Sequence, residues 1–131
     1  MRLLRKKSVW HRGEDAAARH MKRSGCSIIA RNLRLPMGEI DLLCREKATG
    51  TIVIVEVKAR VYSEHSRVRT DPTANITHKK RAKLRTLARA LMQRPDMRGR
   101  SIRIDVVAVR FSPEQRRPIE IRHYRSAVSD R

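Results

Sequence analysis

Hydrophobic positions along the chain follow two periods, and each period predicts a different kind of element. Apolar residues are nearly continuous from Ile52 to Val57, and the run ends among the charges of Glu56 and Lys58. A strand that is apolar on both faces is typical of the middle of a sheet covered by helices. Between residues 77 and 94 apolar positions instead recur at i, i+3, i+4 and i+7, which predicts an amphipathic helix. Its apolar stripe comprises Leu84, Leu87, Ala88 and Leu91.

The remaining segments complete a predicted order of α-β-β-β-α-β-β. Helices are expected at residues 13–24 and 77–94, because Gly25 and Pro95 follow them as stop signals. Strands are expected at residues 27–31, 38–45, 51–60, 101–111 and 119–124. Three strands close in sequence, a helical crossover and two further strands predict a mixed α/β sandwich.

The length of 131 residues predicts one domain with a modest core. Residues 1–12 are expected to form a basic, loosely held arm, residues 13–124 the domain, and residues 125–131 a frayed tail. The connection at 61–76 is polar, basic and long for a compact domain, so it is interpreted as functional or mobile. No apolar stretch approaches the roughly 20 residues of a membrane span. The start of the chain lacks the apolar core of a secretory signal, so a cytoplasmic location is expected.

The net charge of the chain indicates what kind of molecule the protein binds. The formal net charge is +19, from 32 Lys and Arg against 13 Asp and Glu, which favours a polyanion and above all nucleic acid. A basic surface kept only for solubility is the alternative. A membrane surface is disfavoured because no predicted helix combines a basic face with a bulky aromatic one. Aromatic residues make up only 3% of the chain, so double-stranded or branched DNA is favoured over stacked single strands.

The two cysteines, Cys26 and Cys44, lie inside apolar segments, and buried reduced thiols are expected. The second predicted helix carries only positive charge, with no acid between Thr77 and Pro95. Exposed helices usually mix both signs, so this face is interpreted as contacting phosphates, with a merely solvated face as the alternative. The cations assigned to nucleic acid are Arg60, Lys79, Lys80, Arg81, Lys83 and Arg85. Arg60 would otherwise cap the end of its strand.

Acidic side chains are expected to gather beside these cations. Glu56 and Lys58 are two residues apart and therefore project from one face of their strand. If the strand at 38–45 is its neighbour, alternation puts Asp41 on that face, with Ile40 and Leu42 on the other. Ordinary cross-strand pairing is the alternative for Glu56 and Lys58, which the apolar run on both faces disfavours, and an edge charge is the alternative for Asp41.

Glu14 lies on the first predicted helix beside the small residues 16–18, which let the helix approach the sheet. Glu14 would then lean over the same spot, although an acid in a first helical turn also favours the helix dipole. Carboxylates gathered in this way suit Mg²⁺ or Mn²⁺, and such a cation beside a lysine suits phosphodiester hydrolysis. Asp105 lies mid-strand among apolar residues. It is expected either to position Lys58 or an arginine of the site, or to form a buried structural salt bridge.

The ordered set of these residues resembles the YraN family of small bacterial proteins. The matching positions are Gly13-Glu14-x-Ala16-Ala17, Asn32, Gly38-Glu39-Ile40-Asp41, Val55-Glu56-Val57-Lys58-x-Arg60, Lys79 and Asp105-Val106-Val107. That family is similar to the restriction-endonuclease-like superfamily, which has an Asp followed after a spacer by Asp/Glu-x-Lys, and to archaeal-type Holliday junction resolvases. The resemblance implies a three-layer α/β/α sandwich with a central mixed sheet of about five strands.

The resemblance also implies roles for the site residues. Asp41 and Glu56 would be metal ligands together with the carbonyl of Val57, Lys58 would be the catalytic lysine, and Glu14 an accessory acid. The implied activity is an endonuclease that needs Mg²⁺ or Mn²⁺ and cleaves DNA, including branched or structured DNA. Ile40 stands where the superfamily pattern has proline, a position where proline is often absent.

Two other functions remain open on the residues alone. One is a non-catalytic module that binds structured RNA or DNA on the same fold, and the other is a structural basic protein with no site. The acidic residues separate them from a nuclease, because a pure binder gains nothing from carboxylates that face phosphate. A symmetric homodimer would suit a four-way junction, which has two-fold symmetry.

Overall fold

The computed structural model describes residues 8–61, 76–114 and 116–129, which form two helices and five strands. In chain order these are α1 (Val9–Arg23), β1 (Cys26–Leu35), β2 (Gly38–Glu46), β3 (Ile52–Val61), α2 (His78–Met92), β4 (Ile102–Phe111) and β5 (Pro118–Val128). Residues 1–7, 130 and 131 and most of the predicted 61–76 connection lie outside the described residues.

The five strands form one mixed sheet in the spatial order β1-β2-β3-β4-β5. Three neighbouring pairs are antiparallel, whereas β3 and β4 run parallel over the whole of both strands. A parallel pair cannot be joined by a tight turn, so the chain passes through α2 between them. The predicted α/β sandwich is therefore confirmed, with β3 as its central strand.

Alternate side chains of β3 enter two separate apolar cores. Val53, Val55 and Val57 pack beneath α1, in what we call the α1 core. Ile52 and Ile54 pack beneath α2, in what we call the α2 core. All five side chains are fully buried, as the two-faced apolar run predicted. The predicted stripe on α2 is also confirmed, since Leu84, Leu87 and Leu91 are buried and Ala88 packs against them.

Helix α1 begins earlier than its predicted start at residue 13. Its first residue is Val9, and the hydroxyl of Ser8 caps it by accepting the His11 N–H at 3.2 Å. Residues 9–12 are therefore helical rather than a loose arm. At Gly13 a Cβ atom would lie 2.5 Å from the Cβ of Ala59, so only glycine lets α1 rest this closely on β3. This approach brings the first turns of α1 next to the centre of the sheet.

Two strands extend beyond their predicted ends. β1 continues to Leu35 through residues expected to form a connection, and β5 continues to Val128 through residues expected to fray. Val128 pairs with Ile104 and is 4% exposed in the α2 core, so the predicted fraying is wrong for residues 125–128. The two cysteines are free and buried, as predicted. Neither described helix is long and apolar enough to cross a membrane.

Candidate acidic site

The ladder between β2 and β3 ends at the pair Leu42↔Val55. Asp41 is the next residue of β2, and its Oδ2 accepts a hydrogen bond from the backbone N–H of Val57 at 2.8 Å. A side chain thus takes the role that a ladder carbonyl has elsewhere in the sheet. This hydrogen bond holds the Asp41 carboxylate at the end of the ladder. Glu56 is the next residue of β3 after Val55.

The backbone is irregular on both sides of Asp41. Ile40 packs in the α2 core and Leu42 in the α1 core, so the predicted placement of both on one face is wrong. On β1, Asn32 lies between the pairs Arg31↔Leu42 and Leu33↔Ile40 and has a φ of 51°. Few residues other than glycine adopt such a conformation, and asparagine is among those that tolerate it best. A strict two-residue alternation could not reveal this break.

Asp41 carries a destabilised negative charge. The residue is 7% exposed, and burial followed by repulsion from Glu56 raises the pKa of Asp41 to about 7. The hydrogen bond from Val57 opposes this rise, while repulsion from Glu14 adds to it. The pKa of Asp41 therefore responds to both of the other acids that were predicted to lie near it.

Glu56 is 5% exposed, and two ammonium groups approach the same oxygen of its carboxylate. The Nζ of Lys58 lies 3.9 Å from Oε1, and the Nζ of Lys80 lies 3.3 Å from it. Glu56 and Lys58 extend from one strand face, whereas Lys80 comes from α2. The structure thus brings Asp41, Glu56, Lys58 and Lys80 together, and we call these four residues the acidic site.

Glu14 lies beside the acidic site rather than in one cluster with it. It is fully buried, and its Oε2 accepts a hydrogen bond from Asn32 Nδ2 at 3.3 Å. Its Oε1 is buried without a hydrogen-bond partner. Within residues 8–61, 76–114 and 116–129, no three acidic, histidine or cysteine side chains are grouped closely enough to hold one metal ion. The predicted gathering of three carboxylates is therefore not found there.

The predicted phosphate-contacting cations have different surroundings. Arg60 and Lys79 are exposed, Arg85 is partly buried, and the Nε of Arg81 donates to the carbonyl of Ile76 at 3.3 Å. The Cε of Lys83 would lie 2.9 Å from a Cβ built at Gly38, so its stem crosses the start of β2. Lys80, in contrast, belongs to the acidic site. The sequence carried a signal only for its helix face, because Lys80 precedes Leu84 by four residues and Leu87 by seven.

Asp105 has a different environment, with no contact to Lys58 among those described. The Nε of Arg103 donates to both its oxygens at 3.1 and 3.2 Å, His123 Nε2 lies 2.8 Å from Oδ2, and the Ser126 N–H donates to Oδ1 at 2.9 Å. Burial alone would raise the pKa of Asp105, but these partners outweigh it and lower the pKa. The predicted alternative of a buried salt bridge is the one observed.

The protein is thus a mixed α/β sandwich with two buried carboxylates and two lysines at one end of the β2–β3 ladder. Residues 13–109 match the profile of a family described as "Uncharacterised protein family UPF0102". The chain belongs to this family, also called the YraN family, and the resemblance noted from its motifs is confirmed.

Three relatives of the chain, from three bacteria, bear the name "UPF0102 protein". The one from Pelotomaculum thermopropionicum is 35% identical over 111 residues, covering 85% of this chain and 88% of the relative. The one from Mycobacterium avium is 39% identical over 111 residues, covering 85% and 82%. The one from Nitratidesulfovibrio vulgaris strain DP4 is 45% identical over 98 residues, covering 74% and 68%.

Proposed function

We propose that the protein is a metal-dependent endonuclease that hydrolyses phosphodiester bonds in DNA, with branched or structured DNA as its substrate. The observation that carries the proposal is the buried acidic pair of Asp41 and Glu56, in which burial and then repulsion from Glu56 raise the pKa of Asp41 to about 7. A strongly perturbed acid that lies close to a second acid and to lysines is typical of catalytic sites. A buried carboxylate pair whose negative charges repel each other is otherwise costly to maintain.

The residues of the acidic site suit Mg²⁺ or Mn²⁺. Mg²⁺ commonly uses one or two protein carboxylates and fills its other positions with water and substrate phosphate, so Asp41 and Glu56 suffice. Their mutual repulsion would be relieved by a cation. The unpartnered Oε1 of Glu14 is a further acceptor near Asp41. When bound, such a cation supplies neutralisation of phosphate charge and a lower pKa for water.

In the proposed reaction four residues of the chain have distinct roles. Asp41, Glu56 and the carbonyl of Val57 would hold the cation, and the Val57 N–H keeps Asp41 in place. Lys58 is 23% exposed, so its ammonium can reach the attacking water or the charge that develops on the phosphate. Water attacks phosphorus, one phosphorus–oxygen ester bond breaks, and the leaving oxygen takes up a proton.

The exposed cations would hold the flanking DNA. Arg60 at the end of β3 and Lys79 on α2 are exposed, and both stand in sequence close to residues of the acidic site. Contacts of this kind neutralise phosphates and release counter-ions, so binding should weaken steeply with salt. Substituting Lys79 should weaken binding to all DNA structures alike, because phosphates carry no sequence information.

The test is cleavage of labelled duplex, flap and four-way junction DNA in Mg²⁺ or Mn²⁺. The parent protein should cut at least one of these substrates, and Glu56→Gln should abolish cutting while leaving DNA binding largely intact. Glu39→Gln is a matched control, because Glu39 lies on β2 two residues from Asp41 and its side chain is 40% exposed. The proposal fails if Glu56→Gln cuts as well as the parent, or if EDTA leaves cleavage unchanged.

A non-catalytic nucleic-acid-binding module on the same fold is the second candidate. One observation favours it: Glu56 already has two ammonium groups within 4 Å, so its charge is compensated without a metal. Calorimetric titration with Mn²⁺, with and without DNA, separates the two functions. A nuclease requires site-specific uptake that Asp41→Asn removes, whereas a pure binder should take up no Mn²⁺ at all.

A further inference from the structure

Positive charge is distributed unevenly between the two acids of the acidic site. Both lysines approach Oε1 of Glu56, and the closer one is Lys80 at 3.3 Å. Within the described part of the chain, Asp41 accepts a hydrogen bond from a backbone N–H and forms no ion pair. The positive charge of Lys80 lowers the pKa of Asp41, but its effect is smaller than those of burial, Glu56, Val57 and Glu14. The ammonium of Lys80 therefore neutralises Glu56 far more than Asp41.

The fold directs Lys80 to this oxygen. Thr77 caps the start of α2, where its hydroxyl accepts the Lys80 N–H at 3.1 Å. Lys80 is four residues before Leu84 and seven before Leu87, and both leucines are buried against the sheet. Residues at these spacings lie on one helix face, so Lys80 lies in line with the apolar stripe, just beyond the edge of the core. Its neighbour Lys79 lies off that stripe and is exposed.

We propose that Lys80 is an internal counter-ion that competes with the divalent cation for Glu56 and transfers to a DNA phosphate when the cation binds. This inference rests on the proposed function. An ammonium 3.3 Å from Oε1 occupies the space that a divalent cation would need and neutralises the carboxylate charge that would attract the cation. The side chain of Lys80 is 38% exposed, so it can turn outward without disturbing the α2 core.

Such competition makes metal and DNA binding cooperative. The metal displaces Lys80 from Glu56, and the released ammonium then gains a phosphate partner only if DNA is present. By thermodynamic linkage, DNA that holds the displaced Lys80 must in turn strengthen metal binding by the same factor. Without DNA the site resists metal uptake, which would keep the free protein inactive.

The experiment compares the full-length parent with Lys80→Gln, Lys80→Arg and the matched control Lys79→Gln. Calorimetric titration with Mn²⁺ in the absence of DNA should show tighter binding for Lys80→Gln by about 5- to 20-fold, within the usual range of coupling between sites. Lys80→Arg keeps the positive charge and should stay close to the parent. Lys79→Gln should match the parent, since Lys79 lies off the stripe that faces the sheet.

Fluorescence anisotropy of a labelled four-way junction gives the second measurement, with and without Ca²⁺ as a divalent cation that takes oxygen ligands. Ca²⁺ should strengthen junction binding by the parent, and by the same factor for Lys79→Gln, although that variant binds the junction more weakly at the outset. That gain should shrink for Lys80→Gln, because no ammonium is released toward phosphate. Circular dichroism of each variant checks that the fold is intact, and Lys80→Met, which removes the charge but keeps a long side chain, provides the test if Lys80→Gln does not fold.

The outcomes separate this inference from the proposed function. If the parent binds Mn²⁺ but Lys80→Gln and Lys79→Gln bind it equally, the role of Lys80 is refuted and the nuclease proposal stands. A parent that binds no Mn²⁺ and cuts no DNA refutes both. Tighter Mn²⁺ binding by Lys80→Gln together with a smaller effect of Ca²⁺ on junction binding supports the inference.

Discussion

Asp41 and Asp105 lie on the two strands that flank β3, and both are buried where a strand ladder becomes irregular. Each carboxylate accepts a hydrogen bond from a backbone N–H of an adjacent strand, that of Val57 at 2.8 Å and that of Ser126 at 2.9 Å. Residues with positive φ accompany both places, Asn32 at 51° and Ser126 at 50°. The backbone surroundings of the two aspartates are therefore similar.

Their other partners differ completely. Asp105 also has Arg103 and His123 within hydrogen-bond distance, and the pKa of its carboxyl is lowered despite full burial. Asp41 has acids nearby instead, and its pKa is raised to about 7. A buried carboxylate surrounded by donors stabilises a fold, whereas one left beside other carboxylates weakens it unless a cation binds. The difference separates a structural carboxylate from one that is available for chemistry.

The largest effect is expected for Asp105→Asn. It removes the charge that the Arg103 guanidinium compensates and that His123 contacts, and breaking a buried pair of this kind costs about 3–5 kcal/mol. Because the pKa of Asp105 is lowered in the folded state, its contribution is present at neutral pH and is lost as pH falls through the folded pKa. Urea denaturation at pH 7 measures the loss. An unchanged midpoint would show that Arg103 and His123 do not stabilise this charge.

Divalent cations should distinguish the two aspartates directly. A cation at 100 times its dissociation constant stabilises the folded state by about 2.7 kcal/mol, which should appear as a rise in Tm with Mn²⁺ at pH 8. Asp41→Asn should lose this rise, and Asp105→Asn should keep it at its own lower Tm. Equal responses of both variants would mean that Mn²⁺ binds elsewhere.

Asp41→Asn in EDTA should have the opposite sign to Asp105→Asn. The folded-state pKa of about 7 lies above the ordinary value of 3.8, so between these values the folded protein holds more protons than the unfolded chain. Stability of the parent therefore falls as pH rises through that window. The variant, whose amide oxygen still accepts the Val57 N–H, should be more stable at pH 8 by about 1–3 kcal/mol.

The pH profile gives the control for that prediction. The advantage of Asp41→Asn should shrink toward pH 5, where Asp41 of the parent is protonated in the folded state. Denaturation curves at pH 5, 6, 7 and 8 would measure it. A variant that is less stable than the parent at pH 8 would contradict the raised pKa.

The smallest effect concerns His20, whose Nε2 lies 3.0 Å from Nδ1 of His123. Burial and then repulsion from His123 lower the pKa of His20 below 6.5. The unfolded chain therefore holds the extra proton first as pH falls below 6.5, and stability declines there. His20→Gln should flatten this decline by a few tenths of a kcal/mol, since solvent screens a ring that is only partly buried. Thermal melts at pH 5.5 and 7.5 test it, and an unchanged slope would exclude His20 as the cause.

Most of the fold was predictable from local pattern, and the errors have local causes. The apolar run of β3 identified the central strand because burial on both faces leaves no polar positions to alternate. β5 was predicted to end at Tyr124, since the residues after it are largely polar, and it is the distant contacts of Ser126 with Asp105 and of Val128 with Ile104 that keep them in the sheet. At Asp41 the two-residue period failed because a side chain replaced a backbone acceptor.

The sequence by itself determined that Glu56 and Lys58 share one face of the central strand, because alternate residues of a regular strand project from the same face. It also determined the two apolar cores and the apolar stripe of α2. Tertiary structure alone decided that Lys80 meets Glu56, that Asn32 holds Glu14, and that Arg103 and His123 compensate Asp105. These contacts join residues far apart in the chain, and their energies depend on burial and on neighbouring charges, which no local period encodes.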